Sequence, residues 1–166
     1  MKFPAAFAAV LLSGCGGPAE LPADPDARLD PIVFFTGRSE GEASLDTLFA
    51  SPVAVAVVSV GRGDGRGGLI LDQTIREGDK PARDRRWVMR RGAGGRYDGT
   101  LTDAEGPVDV AVAGPRATIH YRMKNGFDVE QQLALQRDRR TVLNRLEVSK
   151  YGVRVAHLDE IIRKLD

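Results

Sequence analysis

The chain has 166 residues, of which 42% are hydrophobic and 28% charged, with 24 Lys and Arg against 23 Asp and Glu. That length supports one domain with short extensions, large enough to bury a core without staples. The near-neutral balance gives no electrostatic footprint for nucleic acid, and the single cysteine excludes an intramolecular disulfide and a cysteine-based metal cluster.

Lys2 opens the chain as a minimal basic region, and residues 3–12 form a ten-residue apolar run. A helix of that length is too short to span a bilayer, which takes about 20 residues, but it suits the apolar stretch of a secretory signal. The run ends in Leu12-Ser13-Gly14-Cys15, which resembles the lipobox of bacterial lipoproteins. That resemblance implies cleavage after residue 14 and a covalent lipid on the Cys15 sulfur, with no other cofactor. Two or more acyl chains anchor stably where one does not. Gly16, in place of an aspartate, implies sorting to the outer membrane, with the protein facing the periplasm. Residues 1–14 therefore read as a signal peptide. Residues 15–30, with three prolines and few apolar side chains, read as an acylated N-terminus and flexible tether.

Residues 31–166 read as one all-β domain. Residues 51–61 are a β-branched run behind Pro52. In 69–79, Leu69, Leu71, Gln73 and Ile75 share a face, as period two requires of a strand. Residues 85–103 form a hairpin. Trp87 and Met89 share a face on its first strand, Tyr97 and Leu101 on its second, with a turn at residues 92–95. Val108, Val110 and Val112 align next, then Ile119, Tyr121 and Met123. The Asn125-Gly126 turn signal leads into Phe127, Val129, Leu133 and Leu135. Val142, Leu146 and Val148 follow. Residues 153–166 fit either a strand or a helix face; a strand with a short terminal helical turn is the reading adopted. Turn signals every eight to twelve residues, with one apolar face throughout, predict an antiparallel up-and-down barrel of about eight to ten strands.

The segments 34–43, 71–79, 85–89, 95–106 and above all 141–155 (TVLNRLEVSKYGVRV) occur in an order that resembles the DUF3833 family of bacterial, often lipoprotein, domains. The resemblance covers about residues 32–160. It implies a lipocalin-like shape and no known activity. The chain departs from the family pattern at Gln73 and Ile75 and across residues 131–135.

Candidate ligand-lining residues are the polar and aromatic side chains on the apolar face: Gln73, Trp87, Tyr97, Tyr121, Gln131 and Asn144. Binding pockets are mostly apolar with a few placed polar groups, so a lipid-like ligand is one reading. The other is a filled core in which these groups satisfy each other. Residues 150–152 read as a turn, with Gly152 taking a conformation other residues resist. His120 and His157 are isolated and His120 faces outward. Residues 63–68 match GxGxxG but precede a strand rather than a helix, which rejects a dinucleotide site. The basic run 76–91 reads as a solvated outer face. No spacing implies catalysis or a metal. The expected role is a lipid-anchored periplasmic barrel binding a small apolar ligand. The alternatives are an accessory lipoprotein docking an envelope protein and, third, an enzyme.

Overall fold

A computed structural model of the chain describes residues 20–166. The expected signal peptide, Cys15 and residues 16–19 lie outside the described residues. After Thr36, alternating inward apolar and outward polar side chains hold nearly every segment in strands. These are β1 (Gly37–Thr47), β2 (Ala50–Gly63), β3 (Leu69–Glu77), β4 (Arg83–Arg91) and β5 (Arg96–Leu101), then β6 (Val108–Ala113), β7 (Arg116–Arg122), β8 (Asp128–Leu135), β9 (Thr141–Lys150) and β10 (Val153–Lys164). Each strand pairs antiparallel with the next. Pairing of β1 with β10, from Ser39 opposite Lys164 to Thr47 opposite Ala156, closes the barrel. Closure leaves no edge strand to template aggregation.

Turn chemistry matches the sequence at two hairpins. Tyr151 and Gly152 both have positive φ, 52° and 78°, the twist that a two-residue hairpin needs. Residues 64–68 close a turn in which the Asp64 carboxylate accepts from the backbone N–H groups of Arg66 and Gly68, each at 2.8 Å. The GxGxxG stretch is therefore an Asx-type turn.

One end of the barrel is plugged. Asp30 caps a five-residue helix, α1 (Pro31–Phe35), accepting from Ile32 N at 3.1 Å, with Pro31 in the first turn. Phe34 and Phe35 are buried there, packed edge to face with ring centroids 4.9 Å apart. Lys164 on β10 donates to the carbonyls of Phe34 and Thr36, tying the helix end to the wall. Arg91 holds Asp30 at 2.5 Å. Burial pushes the Asp30 carboxyl up, but Arg91 and the capped N–H groups outweigh it and leave its pKa below the usual value. The sequence reading contained no helix here, because five residues are too few to reveal a period.

Two expectations need correction. Within the expected tether, residues 20–30 are docked. Leu21, Ala27 and Leu29 are buried, Asp24 N donates to Leu135 O at 3.1 Å, and Leu29 N donates to Gly114 O at 2.8 Å. The prolines keep the segment extended while its few apolar side chains cover the plugged end. The C-terminus forms no helical turn; β10 runs as strand to Lys164. As a strand it pairs with the facing edges of β1 and β9, whose backbone groups a helix would leave without those partners.

Candidate functional site

The interior has two levels, set by side-chain size. Towards the plugged end, Leu69, Leu71, Trp87, Met89, Tyr97, Leu133 and Leu135 join Phe34 and Phe35 in one buried cluster. Towards the other end, the inward residues of β1 and β2 are small: Ala43, Val55 and Val57, with Leu45 above. Aliphatic residues of β8, β9 and β10 face them: Val129, Leu146, Val148, Ala156 and Leu158. The small side chains cannot meet across the barrel, and a cavity of about 750 Å³ remains, open at the β1–β2, β7–β8 and β9–β10 hairpins. That volume falls in the range of small-molecule sites.

The cavity is greasy along its walls and polar at its base. Arg85, Tyr121, Asn144 and Glu160 line it. Beneath them, Gln73 Oε1 accepts from Arg85 Nε and from Trp87 Nε1, both at 2.8 Å, while Gln73 Nε2 donates to Ser59 Oγ at 2.9 Å. The Arg85 guanidinium lies 5.7 Å from the Trp87 ring, and Trp87 packs edge to face on Tyr121 at 5.9 Å. Asn144 Nδ2 donates to Glu160 Oε2 at 2.6 Å. Room for the Glu160 carboxyl comes from Gly41 on the neighbouring strand: a methyl there would overlap Glu160 Oε1 and sit 2.8 Å from its Cδ. Asn144 is only 3% exposed, and its Oδ1 has no hydrogen-bond partner among the described residues.

Burial governs the ionisation of this base. It lowers the Arg85 pKa, which the phenol of Tyr121 and the carboxyl of Glu160 partly restore. Burial also raises Tyr121. Glu160 is raised above its ordinary 4.5 by burial, against the pull of Asn144 and Arg85. The folded state therefore keeps a proton that the unfolded chain releases, and stability falls as pH rises above about 4.5 through that window. Glu160→Gln is expected to flatten this fall while keeping an acceptor for Asn144. Urea unfolding at stepped pH measures it, and a curve parallel to wild type would contradict the assignment.

Of the six candidate lining residues, Tyr121 and Asn144 line the cavity. Gln73 and Trp87 support its base from below. Tyr97 belongs to the plugged end, its hydroxyl 3.3 Å from Asp30. Gln131 is buried in the interior, its Oε1 without a partner among the described residues, but it does not line the cavity. The sequence reading missed Arg85 and Glu160. Arg85 stood inside a run taken as solvated surface, although two-residue spacing from Trp87 places it inside. His120 is exposed. Asp72 sits on the outer face, held at about 2 by Arg86 and Arg62.

The mouth carries exposed apolar residues. Phe49 is 98% and Tyr151 91% exposed, beside Leu48 and Val153. Lys150 lies 4.7 Å from the centre of the Phe127 ring.

Three comparisons bear on this architecture. A family model described as "Protein of unknown function (DUF3833)" matches residues 9–164. Among solved structures, a protein of unknown function from the DUF3598 family of Nostoc punctiforme PCC 73102 superposes with a TM-score of 0.64 at 13% identity, covering 85% of this chain and 51% of that one. The chain thus spans about half the length of that protein. The S-type phycobiliprotein lyase CPES from Guillardia theta superposes with a TM-score of 0.61 at 6% identity, covering 81% of this chain and 91% of that one. At these identities the likeness is one of fold, a lipocalin-like barrel. No curated protein matches the sequence.

Proposed function

The chain belongs to the DUF3833 family, and from that premise we propose that it is a lipid-anchored envelope lipoprotein whose barrel binds a small apolar or lipid-like ligand. The open, largely aliphatic cavity above a filled core carries this reading. A barrel of this kind buries apolar ligand surface without a conformational change, so the hydrophobic gain is not spent on ordering the protein. The role is binding rather than catalysis. The polar groups at the base are engaged in positioning one another, His120 is exposed, and Asp72 on the outer face is engaged by Arg62 and Arg86.

Anchoring follows from the lipobox-like Leu12-Ser13-Gly14-Cys15, with the outer membrane as the site and the periplasm as the compartment. Cys15→Ser is expected to shift the protein from the membrane fraction to the soluble one and to remove the acyl mass from its N-terminal peptide. Membrane association equal to wild type would overturn the anchor.

Native mass spectrometry of the detergent-extracted protein tests the binding reading. A lipid-sized adduct is expected on wild type. Replacing Leu146 and Leu158, cross-strand neighbours lining the cavity, with tryptophan is expected to reduce the adduct at least about tenfold, the effect of losing some 1.4 kcal/mol of binding. Wild type free of any adduct, even after incubation with lipid extract, would defeat the proposal.

A second reading is favoured by the exposed Leu48, Phe49, Tyr151 and Val153: the mouth docks an envelope protein. The cavity-filling pair separates the two, because it alters the interior and leaves those four residues in place.

A further inference from the structure

Given a lipid-like occupant, we infer that it is a single-chain amphiphile with an anionic head, and that Arg85 receives the head at the base of the cavity while the chain lies along the aliphatic walls. The inference deepens the binding reading above and rests on it.

Of the cations lining the cavity, Arg85 and Lys150 have no carboxylate within ion-pair distance among the described residues, and only Arg85 lies at the base. Arg83, which also lines the cavity, pairs with Asp103 at 2.9 Å. Lys150 rests on the Phe127 ring at the mouth. Arg85 differs from Arg83 in having no paired carboxylate and from Lys150 in its place at the base, held by Gln73 and the Trp87 ring. Its Nε bonds the neutral amide of Gln73, Glu160 and Asp103 act on it only through longer-range attraction, and no carboxylate reaches ion-pair distance among the described residues. A desolvated cation without a counter-charge is costly, and proteins rarely keep one without a partner. The guanidinium is positioned by Gln73 on one side and by the Trp87 face on another. A head group arriving from the cavity would find it already placed.

The neighbours of Arg85 suit an anion. Glu160 is buried and pushed towards its protonated form, in which it can donate rather than repel. The Tyr121 hydroxyl is kept protonated by burial. The guanidinium and phenol donors complement an acceptor-only head, a carboxylate or a phosphate monoester, and the raised Glu160 carboxyl opposes it less than an ordinary carboxylate would. The unpartnered Asn144 Oδ1 would take a water or hydroxyl brought in with the head. Above this base the walls turn aliphatic at Val57, Val129, Leu146 and Leu158, as one alkyl chain requires.

The test uses the full-length protein in detergent and native mass spectrometry with three probes of equal chain length: palmitate, hexadecyl phosphate and hexadecanol. Wild type is expected to favour at least one anionic probe over the alcohol by about ten- to a hundredfold, the range of hydrogen bonds to charged groups. Which anion is preferred identifies the head as carboxylate or phosphate. Arg85→Gln is expected to bring the ratio near one while still binding the alcohol. Lys150→Gln is expected to leave the ratio intact. Equal binding of acid, phosphate and alcohol by wild type would overturn the head-group assignment and leave the apolar site standing. A preference that survives Arg85→Gln, or that Lys150→Gln removes, would place the head at the mouth and overturn it too. Binding of none of the three would remove the lipid-site reading itself. Should Arg85→Gln fail to fold, the wild-type ratio and the Lys150 variant still decide.

Discussion

Trp87→Ala is expected to lower the free energy of unfolding by about 3–5 kcal/mol, the usual cost of deleting a large buried aromatic. Trp87 is 5% exposed and stands between the filled core and the base of the cavity. Its ring packs on Tyr121 and lies against the Arg85 guanidinium, and its Nε1–H bonds Gln73. Alanine removes the packing and releases Arg85 and Gln73 together, so ligand affinity should fall along with stability. Trp87→Phe keeps most of the packing and isolates the hydrogen bond to Gln73. Gln73 Oε1 still accepts from Arg85 Nε, so no buried acceptor is orphaned, and the expected cost is nearer 1 kcal/mol. Urea titrations followed by far-ultraviolet circular dichroism measure both variants. Equal losses for alanine and phenylalanine would show that the ring is not what holds the base together.

Gly61→Ala is expected to cost about 3 kcal/mol, at the upper end of ordinary overpacking penalties, despite adding only a methyl. That methyl would overlap the carbonyl oxygen of Phe35 and lie 2.8 Å from its carbonyl carbon. The obstacle is backbone, so no rotamer change relieves it; the helix must lift away from the wall. Amide exchange in residues 31–36 should accelerate more than exchange in β8 or β9. Gly63→Ala provides the control. The nearest atom to its added methyl is 4.0 Å away, and the expected change is within about 0.5 kcal/mol. A Gly61→Ala protein as stable as wild type would mean that the plug is seated more loosely than this contact requires.

The legibility of the sequence followed contrast between the two faces of each strand. Where a strand alternates large apolar with charged residues, as β3 and β8 do, its inward face could be read residue by residue. β1 offered no such contrast. Its inward residues Ser39, Gly41, Ala43 and Leu45 are mostly small or polar, so the strand that closes the barrel was not assigned. Those same small residues help create the hollow, and so the feature that defines the site is one that periodicity cannot detect. Arg85 and Glu160 were hidden for a related reason. A charged residue on an inward position looks like a break in the pattern or part of a surface run, and only the spacing from Trp87 and Ile162 reveals its direction. The docked segment 20–30 was read as free chain because it carries few apolar residues. What fixes it is backbone bonding to Leu135 and Gly114, which leaves no trace in side-chain composition.

The division of the interior into a packed lower level and a hollow upper one has an evolutionary consequence. Substitutions at sites far enough apart to share no partners usually combine additively. The plugged end, with Phe34, Phe35 and Leu69, can therefore hold the barrel closed while Val57, Val148 or Leu158 drift towards a different occupant. Changes of cargo in such a barrel need not be compensated elsewhere in the chain, so related sequences can diverge rapidly around the opening while the scaffold beneath persists.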